Sequence, residues 1–224
     1  MLYRIGASLA CADQLNLYKE IKLLKTAGVE FLHIDIMDGI YVNNFCFGTQ
    51  LFDYLKEIDG IEIEIHLMVK DPFYKIEYFK EKHFNNISFH IETSKNPIQV
   101  LSKIKNLGKK CGIAINAATH ENSIYYLYDF LDYILVMAVE AGFKSQNFVY
   151  STIEKVRNIR TELKKREMNT DIYVDGHIDE KTIPMLCEAG ANVFIGGTAG
   201  LFKKKSSYAE NIRILRKSMN NCNK

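Results

Sequence analysis

The feature that most constrains this chain is a rhythm. Short apolar or β-branched runs recur eight times, and each is followed by a longer stretch with amphipathic spacing that ends near a Gly or Asn. The runs are YRIGASL at 3–9, FLHIDIMD at 31–38, IEIEIHLMV at 61–69, NISFHI at 86–91, CGIAIN at 111–116, YILVMAV at 133–139, DIYVDG at 171–176 and NVFIGGT at 192–198. Between them lie helical patterns such as LNLYKEIKLLKTAG, closing at Gly28, and SYAENIRILRKSM near the end of the chain. In both, apolar residues return at spacings of three and four.

Strands alternating with helices predict parallel pairing and right-handed crossovers, and eight such units predict an α/β fold, a single-domain (β/α)8 TIM barrel, over an open sheet. Dividing 224 residues by eight leaves 28 for each unit, so one domain over residues 1–224 uses the whole length. Only three prolines occur (Pro72, Pro97, Pro184), and no Gly/Ser-rich stretch marks a boundary.

Composition narrows the function classes. Hydrophobic residues are 47% and charged residues 25%, which suits a packed globular chain. With 29 Lys and Arg against 27 Asp and Glu the charge balance is +2, which predicts no nucleic-acid partner; Lys203-Lys204-Lys205 reads as a solvated loop. No run of about 18 apolar residues is present, and the start MLYRIGASLACADQ resembles neither a membrane span nor a signal peptide, so a cytoplasmic protein with no membrane partner is expected. Cys11, Cys46, Cys111, Cys187 and Cys222 are odd in number and lack C-x-x-C spacing, so they read as reduced thiols, most of them buried.

In a barrel of this kind, chemistry sits at the C-terminal ends of the strands. Alternation puts His33, Asp35 and Met37 on one face of the second strand and Leu32, Ile34 and Ile36 on the other. A barrel can also bury a hydrogen-bonded His–Asp pair as plain core. The third strand sets His66 and Met68 on one face, and Asp175 ends the seventh. Two histidines and two carboxylates from three strands make four N/O ligands, a set that suits zinc or another first-row divalent metal.

A second cluster suggests an anion. The loops 139–146, 175–178 and 195–200 carry small residues that let backbone N–H groups approach a phosphate, and barrel phosphate sites are often built after strands seven and eight. As single motifs these glycines equally serve tight turns.

Over nearly its full length the chain resembles the ribulose-phosphate 3-epimerase family. The segments that carry the likeness are Ala7 to Asp13, H-x-D-x-M-D-G at 33–39, His66-Leu-Met68, Asn116 to Thr119, Val136-Met137 with Gly142-Phe143 and Gln146, Val174-Asp-Gly176, and Asn192-Val-Phe with Gly197-Thr198. The resemblance implies that His33, Asp35, His66 and Asp175 bind one catalytic divalent metal ion, zinc first, with iron, manganese or cobalt also compatible. It implies that Asp35 and Asp175 are the acid/base pair acting through a metal-stabilised ene-diolate, and that Ser8, His66, Met37, Met68 and Met137 line the reaction site. The phosphate would rest on Gly142, Phe143, Lys144, Ser145, Gly176, His177, Gly197 and Thr198. A small sugar phosphate as substrate and a homo-oligomeric enzyme follow from the same likeness.

Several positions depart from the commonest family pattern. Ala7 replaces a Pro, Val42-Asn43-Asn44 replaces V-P-N, Ala141 to Ser145 replaces Pro-Gly-Phe-Gly-Gly, and His177 replaces a Gly. None removes a ligand or an acid/base residue. Lys144 and His177 would either crowd the anion or add donors to it. The Ser-Leu-x-Cys start and Gly197-Thr-Ala-Gly-Leu-Phe202 look more like the allulose-6-phosphate 3-epimerase branch, leaving a pentulose 5-phosphate and a ketohexose 6-phosphate both open. A decarboxylase barrel of the orotidine-phosphate kind would need a Lys where Met37 stands, and a non-catalytic sugar-phosphate-binding paralogue would be expected to lack Asp35 or Asp175.

Overall fold

The computed structural model describes residues 2–220. Eight parallel strands close on themselves: β1 (Arg4–Ser8), β2 (Phe31–Asp38), β4 (Glu62–Met68), β5 (Asn86–His90), β6 (Lys110–Ile115), β7 (Tyr133–Met137), β8 (Asp171–Asp175) and β9 (Val193–Gly196) pair in chain order, and β1 pairs with both β2 and β9 to shut the barrel. Each matches one of the eight runs read from the sequence. The ninth strand, β3 (Phe45–Cys46), is a two-residue antiparallel addition to the end of β2.

The helices are α1 (Leu17–Ala27), α2 (Leu51–Leu55), α3 (Pro72–Lys75), α4 (Pro97–Asn106), α5 (Ser151–Lys165), α6 (Thr182–Ala189) and α7 (Tyr208–Asn220). Gly28 caps α1 in the left-handed conformation, which a residue without Cβ adopts at little cost. The rhythm breaks once: β6 and β7 are joined among the described residues by two 3-10 turns, Glu121–Ile124 and Tyr128–Phe130, rather than by an α-helix. Tyr125, Tyr126, Tyr128 and Phe130 crowd that crossover, and aromatic residues lose side-chain freedom in a helix.

Alternation along the strands divides two cores. Ile5, Leu32, Ile34, Ile63, Ile65, Ile113 and Ile134 face the helices in the larger one. Phe31, Ala114, Tyr133, Leu135, Tyr173, Val193 and Ile195 form a second cluster that fills the barrel. Fully burying a side chain of this size contributes about 1.5–3 kcal/mol. Gly6 and Gly112 are the gaps the rings need: a Cβ at Gly6 would lie 2.3 Å from the Phe31 ring and one at Gly112 would lie 2.5 Å from the Tyr133 ring. Bulky residues thus plug the N-terminal part of the barrel and leave the other end to polar side chains.

Among the cysteines, Cys111 and Cys187 are buried, Cys11, which lines the cavity at the barrel mouth, and Cys46 are only half-buried, and Cys222 lies outside the described residues. Lys204 and Lys205 are exposed in a loop, as the sequence suggested, while Lys203 pairs with Glu180 at 2.6 Å. Among the described residues no helix is long and apolar enough to cross a membrane.

Candidate active site

Three strands deliver the cluster. On β2 the two-residue period sends His33 and Asp35 inward, and the β2–β4 register sets Asp35 beside His66. Asp175 is the last residue of β8, level with Met137. One ligand atom from each of His33, Asp35, His66 and Asp175 lies within 4.8 Å of all the others. Asp35 is the hub: its Oδ1 is 3.1 Å from His33 Nε2 and 3.2 Å from His66 Nδ1, and its Oδ2 accepts the Ser8 hydroxyl at 3.0 Å.

Burial alone would keep Asp35 protonated, yet His33 and His66 hold its pKa far below the ordinary carboxylate range. Burial also opposes a charge on His33, but Glu64 and Asp35 on its two sides more than offset this and raise its pKa well above the usual value. Asp175 behaves in the opposite way. Burial disfavours its charge, the attraction of His33 only partly compensates, and repulsion from Asp35 adds to the effect, so its pKa is pushed up to about 6. Two carboxylates in one site therefore hold protons with very different strength, the pattern that separates acid from base.

Two buried residues that the sequence reading missed stand behind the histidines. Glu64, on the inward face of β4 two residues before His66, contacts His33 Nδ1 and accepts the hydroxyls of Ser88 at 2.8 Å and Tyr133 at 2.9 Å. His90, at the end of β5, places Nε2 3.0 Å from His66 Nε2. The signal was present in the same alternation, as Glu62-x-Glu64-x-His66 and Asn86-x-Ser88-x-His90.

The donor set tests well against a divalent cation: two imidazoles and two carboxylates converge, and a buried outer partner orients each imidazole. Asp38, the other acid of the H-x-D-x-M-D-G segment, is turned away. It accepts the backbone N–H groups of Ile40, Tyr41 and Lys70 and staples the ends of β2 and β4 together.

Above the cluster lies a cavity of about 340 Å3 walled by Met37, Met68 and Met137. Gly142, Phe143, Lys144, Ser145, Gly176, His177, Gly197 and Thr198 line the same cavity, so the structure brings together every residue expected at the phosphate; Ser8, His33 and His66 lie deeper. Gly142, Ser145, Gly176 and His177 all have positive φ. Asn44 and two positions that depart from the family pattern, Lys144 and His177, tie these loops together. Asn44 donates to the Gly142 carbonyl at 2.7 Å, Lys144 donates to the carbonyl of Ala10, and His177 Nδ1 donates to the Gln146 carbonyl at 2.7 Å. Ser145 and Thr198 hydroxyls meet at 3.4 Å. Cys11 and Cys46 border the site, and burial raises both thiol pKa values, that of Cys46 to about 11, which disfavours the thiolate.

A closed parallel barrel whose strand ends converge on two histidines and two carboxylates beneath glycine-bearing loops has the architecture of a barrel enzyme. A sequence model of the ribulose-phosphate 3 epimerase family matches residues 4–201, and the chain belongs to that family. It is an epimerase, an isomerase acting on carbohydrates. The chain is 36% identical over 198 residues to the ribulose-phosphate 3-epimerase of Methanocaldococcus jannaschii, covering 88% of this chain and 84% of that one. It is also 36% identical over 202 residues to the protein of the same name from Helicobacter pylori, covering 90% and 92%. Among solved structures, 3-hexulose-6-phosphate synthase from Salmonella typhimurium shares the fold, with a TM-score of 0.70 over 98% of this chain and 99% of that one at 15% identity.

Proposed function

We propose that this chain interconverts D-ribulose 5-phosphate and D-xylulose 5-phosphate, one of Asp35 and Asp175 removing the C3 proton and the other returning a proton to the opposite face. The observation that carries this reading is the convergence of those two carboxylates with His33 and His66 at the floor of the cavity, under the three loops suited to a phosphate. Inverting a carbon beside a ketone requires a proton to leave one face and return to the other, so two groups must flank it, and one carboxylate on one side cannot do both. In the metal-free site the two carboxylates differ in proton affinity, Asp35 being held ionised and Asp175 titrating near 6. Each carboxylate keeps its own face, and which of the two acts as base and which as acid depends on the direction of reaction.

Zinc, or alternatively iron, manganese or cobalt, held by His33, Asp35, His66 and Asp175 would supply Lewis-acid stabilisation to the charge developing on the ketone and neighbouring hydroxyl oxygens. Backbone donors of the loops at Gly142 to Ser145, Gly176 to His177 and Gly197 to Thr198 would grip the phosphate and orient C3 between the carboxylates. The sixth-strand loop, tethered through Asn44, Lys144 and His177, would exclude water from the bound intermediate. Met37, Met68 and Met137 supply a polarizable wall without competing proton donors.

A second substrate, D-allulose 6-phosphate, is favoured by the likeness of 197–202 to that branch. A side-by-side turnover assay on the two sugar phosphates with defined metals, read with solvent deuterium incorporation at C3, decides between them. Faster turnover of the pentulose phosphate is expected. Faster turnover of the hexulose phosphate would reassign the substrate, and failure on both would favour a sugar-phosphate-binding protein without turnover.

A further inference from the structure

The cavity above the cluster carries unlike charges on its two sides. Lys144 stands with the three loops suited to a phosphate and donates to the Ala10 carbonyl, just past β1. Glu140 lines the same cavity but turns the other way. Its Oε2 accepts the side-chain N–H of Asn116, the residue that follows β6, at 2.9 Å.

Glu140 is held from both ends. Gln146 Nε2 donates to its carbonyl at 2.6 Å, and Asn116, which orients its carboxylate, is bonded through every polar group it has. The Asn116 Oδ1 accepts the backbone N–H groups of Ala117 at 2.9 Å and Ala141 at 3.1 Å, its N–H donates to Glu92 at 2.8 Å, and its carbonyl accepts from the Lys155 ammonium at 2.8 Å. Lys155 gives its other contact to the Ala117 carbonyl, behind the loop. Glu92 also meets His90 Nδ1 at 3.1 Å, so both carboxylates belong to the β5–β6 side of the mouth. Burial raises the Tyr41 pKa, and Glu92 and then Glu140 add to the rise, as two negative groups near one hydroxyl should.

Among the described residues Glu140 Oε1 has no hydrogen-bond partner, and Glu140 makes no ion pair. An ionised carboxylate accepts hydrogen bonds and donates none. A sugar hydroxyl therefore satisfies Oε1, whereas a phosphate brings only acceptor oxygens and more negative charge. We propose that Glu140, oriented by Asn116, is a specificity-determining residue that admits a ketose monophosphate whose other end carries hydroxyls and turns away a ketose bisphosphate. This role rests on the sugar-phosphate reading above. With the phosphate on the loops at Gly142 to Ser145, Gly176 to His177 and Gly197 to Thr198, and C3 over Asp35 and Asp175, the remaining carbons extend toward the opposite wall, where Glu140 stands.

The test is calorimetric titration of Zn2+-supplied protein with D-ribulose 5-phosphate, D-ribulose 1,5-bisphosphate and inorganic phosphate, unaltered and as Glu140→Gln. Glutamine keeps the volume and an acceptor oxygen for Asn116 and removes only the charge. The unaltered protein should bind the monophosphate at least about 10-fold more tightly than the bisphosphate, the scale of a like-charge contact screened by water at the rim. Glu140→Gln should reduce that ratio about 10-fold, while inorganic phosphate, which needs only the loops, gains far less than the bisphosphate. An unaltered protein that binds both sugars equally overturns the proposal without any variant. So does a ratio unchanged in Glu140→Gln, or an equal gain for inorganic phosphate, which would place the influence of Glu140 on the phosphate loops. Monophosphate binding with an unchanged ratio ends this proposal alone; a protein that binds neither sugar ends the sugar-phosphate reading and this proposal with it.

Discussion

Asp35 and Asp175 approach the same nitrogen: Asp35 Oδ1 lies 3.1 Å from His33 Nε2 and Asp175 Oδ2 lies 3.7 Å from it. One imidazole edge therefore holds two carboxylates close together, and the two divide the available charge unequally.

If both carboxylates are needed, Asp175→Asn should lower turnover about 10²- to 10⁴-fold, the usual worth of a positioned acid or base. Folding should be retained, because Asn fills the same volume at a position whose charge is already disfavoured. The remaining Asp35 should still exchange the C3 proton of one epimer with deuterium. Full epimerase activity in this variant would end the two-carboxylate mechanism.

The proton affinities also set a stability profile for metal-free protein. Asp175 has a folded pKa of about 6, above its ordinary value near 3.8, so its stabilising contribution is complete below that ordinary value and is lost as pH rises through 6. His33 acts in the same direction, its contribution present below 6.5 and lost as pH climbs through its higher folded value. His90 opposes them below 6.5, since burial lowers its pKa to about 4 and its contribution grows as pH rises toward 6.5. In chelator the net fall in Tm should therefore come above pH 6.5, as the His33 contribution is lost. Added Zn2+ should reverse the trend, because deprotonated ligands bind the cation better. A chelated protein with flat Tm across this window would contradict the electrostatic reading.

Lys144 and His177 were open to two opposite readings, as obstacles to the anion or as donors to it. Lys144 instead spends its charge on the Ala10 carbonyl, and His177 binds the Gln146 carbonyl. Lys144→Ala should thus loosen the loop and raise KM several-fold while kcat changes by less than about twofold, the signature of a group acting on binding in ground and transition states alike. A kcat loss larger than the KM effect would place Lys144 closer to the reacting atoms.

Gly112 faces the Tyr133 ring, whose hydroxyl supports Glu64. Gly112→Ala should cost about 1–3 kcal/mol by overpacking and should also weaken metal binding, since displacing the ring removes one of the donors that hold Glu64. Urea unfolding and a metal titration on the same variant separate the two effects. Unchanged stability would mean that the barrel interior yields more easily than its packing suggests.

Much of the site was legible because it is written in strand alternation. His33, Asp35 and His66 share inward faces by a rule that needs only the two-residue period, and Asp175 closes a strand whose apolar run announces it. Glu64 and His90 obeyed the same rule. Their role stayed hidden, because an acid or a histidine on an inward face has meaning only once its partner on another strand is known. The crossover at 116–132 departs from the helical rhythm for a related reason: its tyrosines supply apolar spacing, while their rings favour short 3-10 turns.

By itself the amino-acid sequence determined the eight strands of the barrel, their inward faces and the two sets of polar residues at their ends, since each depends on near neighbours in the chain. Only the tertiary structure decided which nitrogen of each histidine meets Asp35, why Asp175 holds its proton near 6 while Asp35 does not, and that Glu64 and Glu92 stand behind the cluster. Asp35 and His66 are 31 positions apart in the chain, and His33 and Asp175 are 142 apart (175 less 33). Distances between such residues exist only after β1 has closed against β9 and brought all eight strand ends to one mouth.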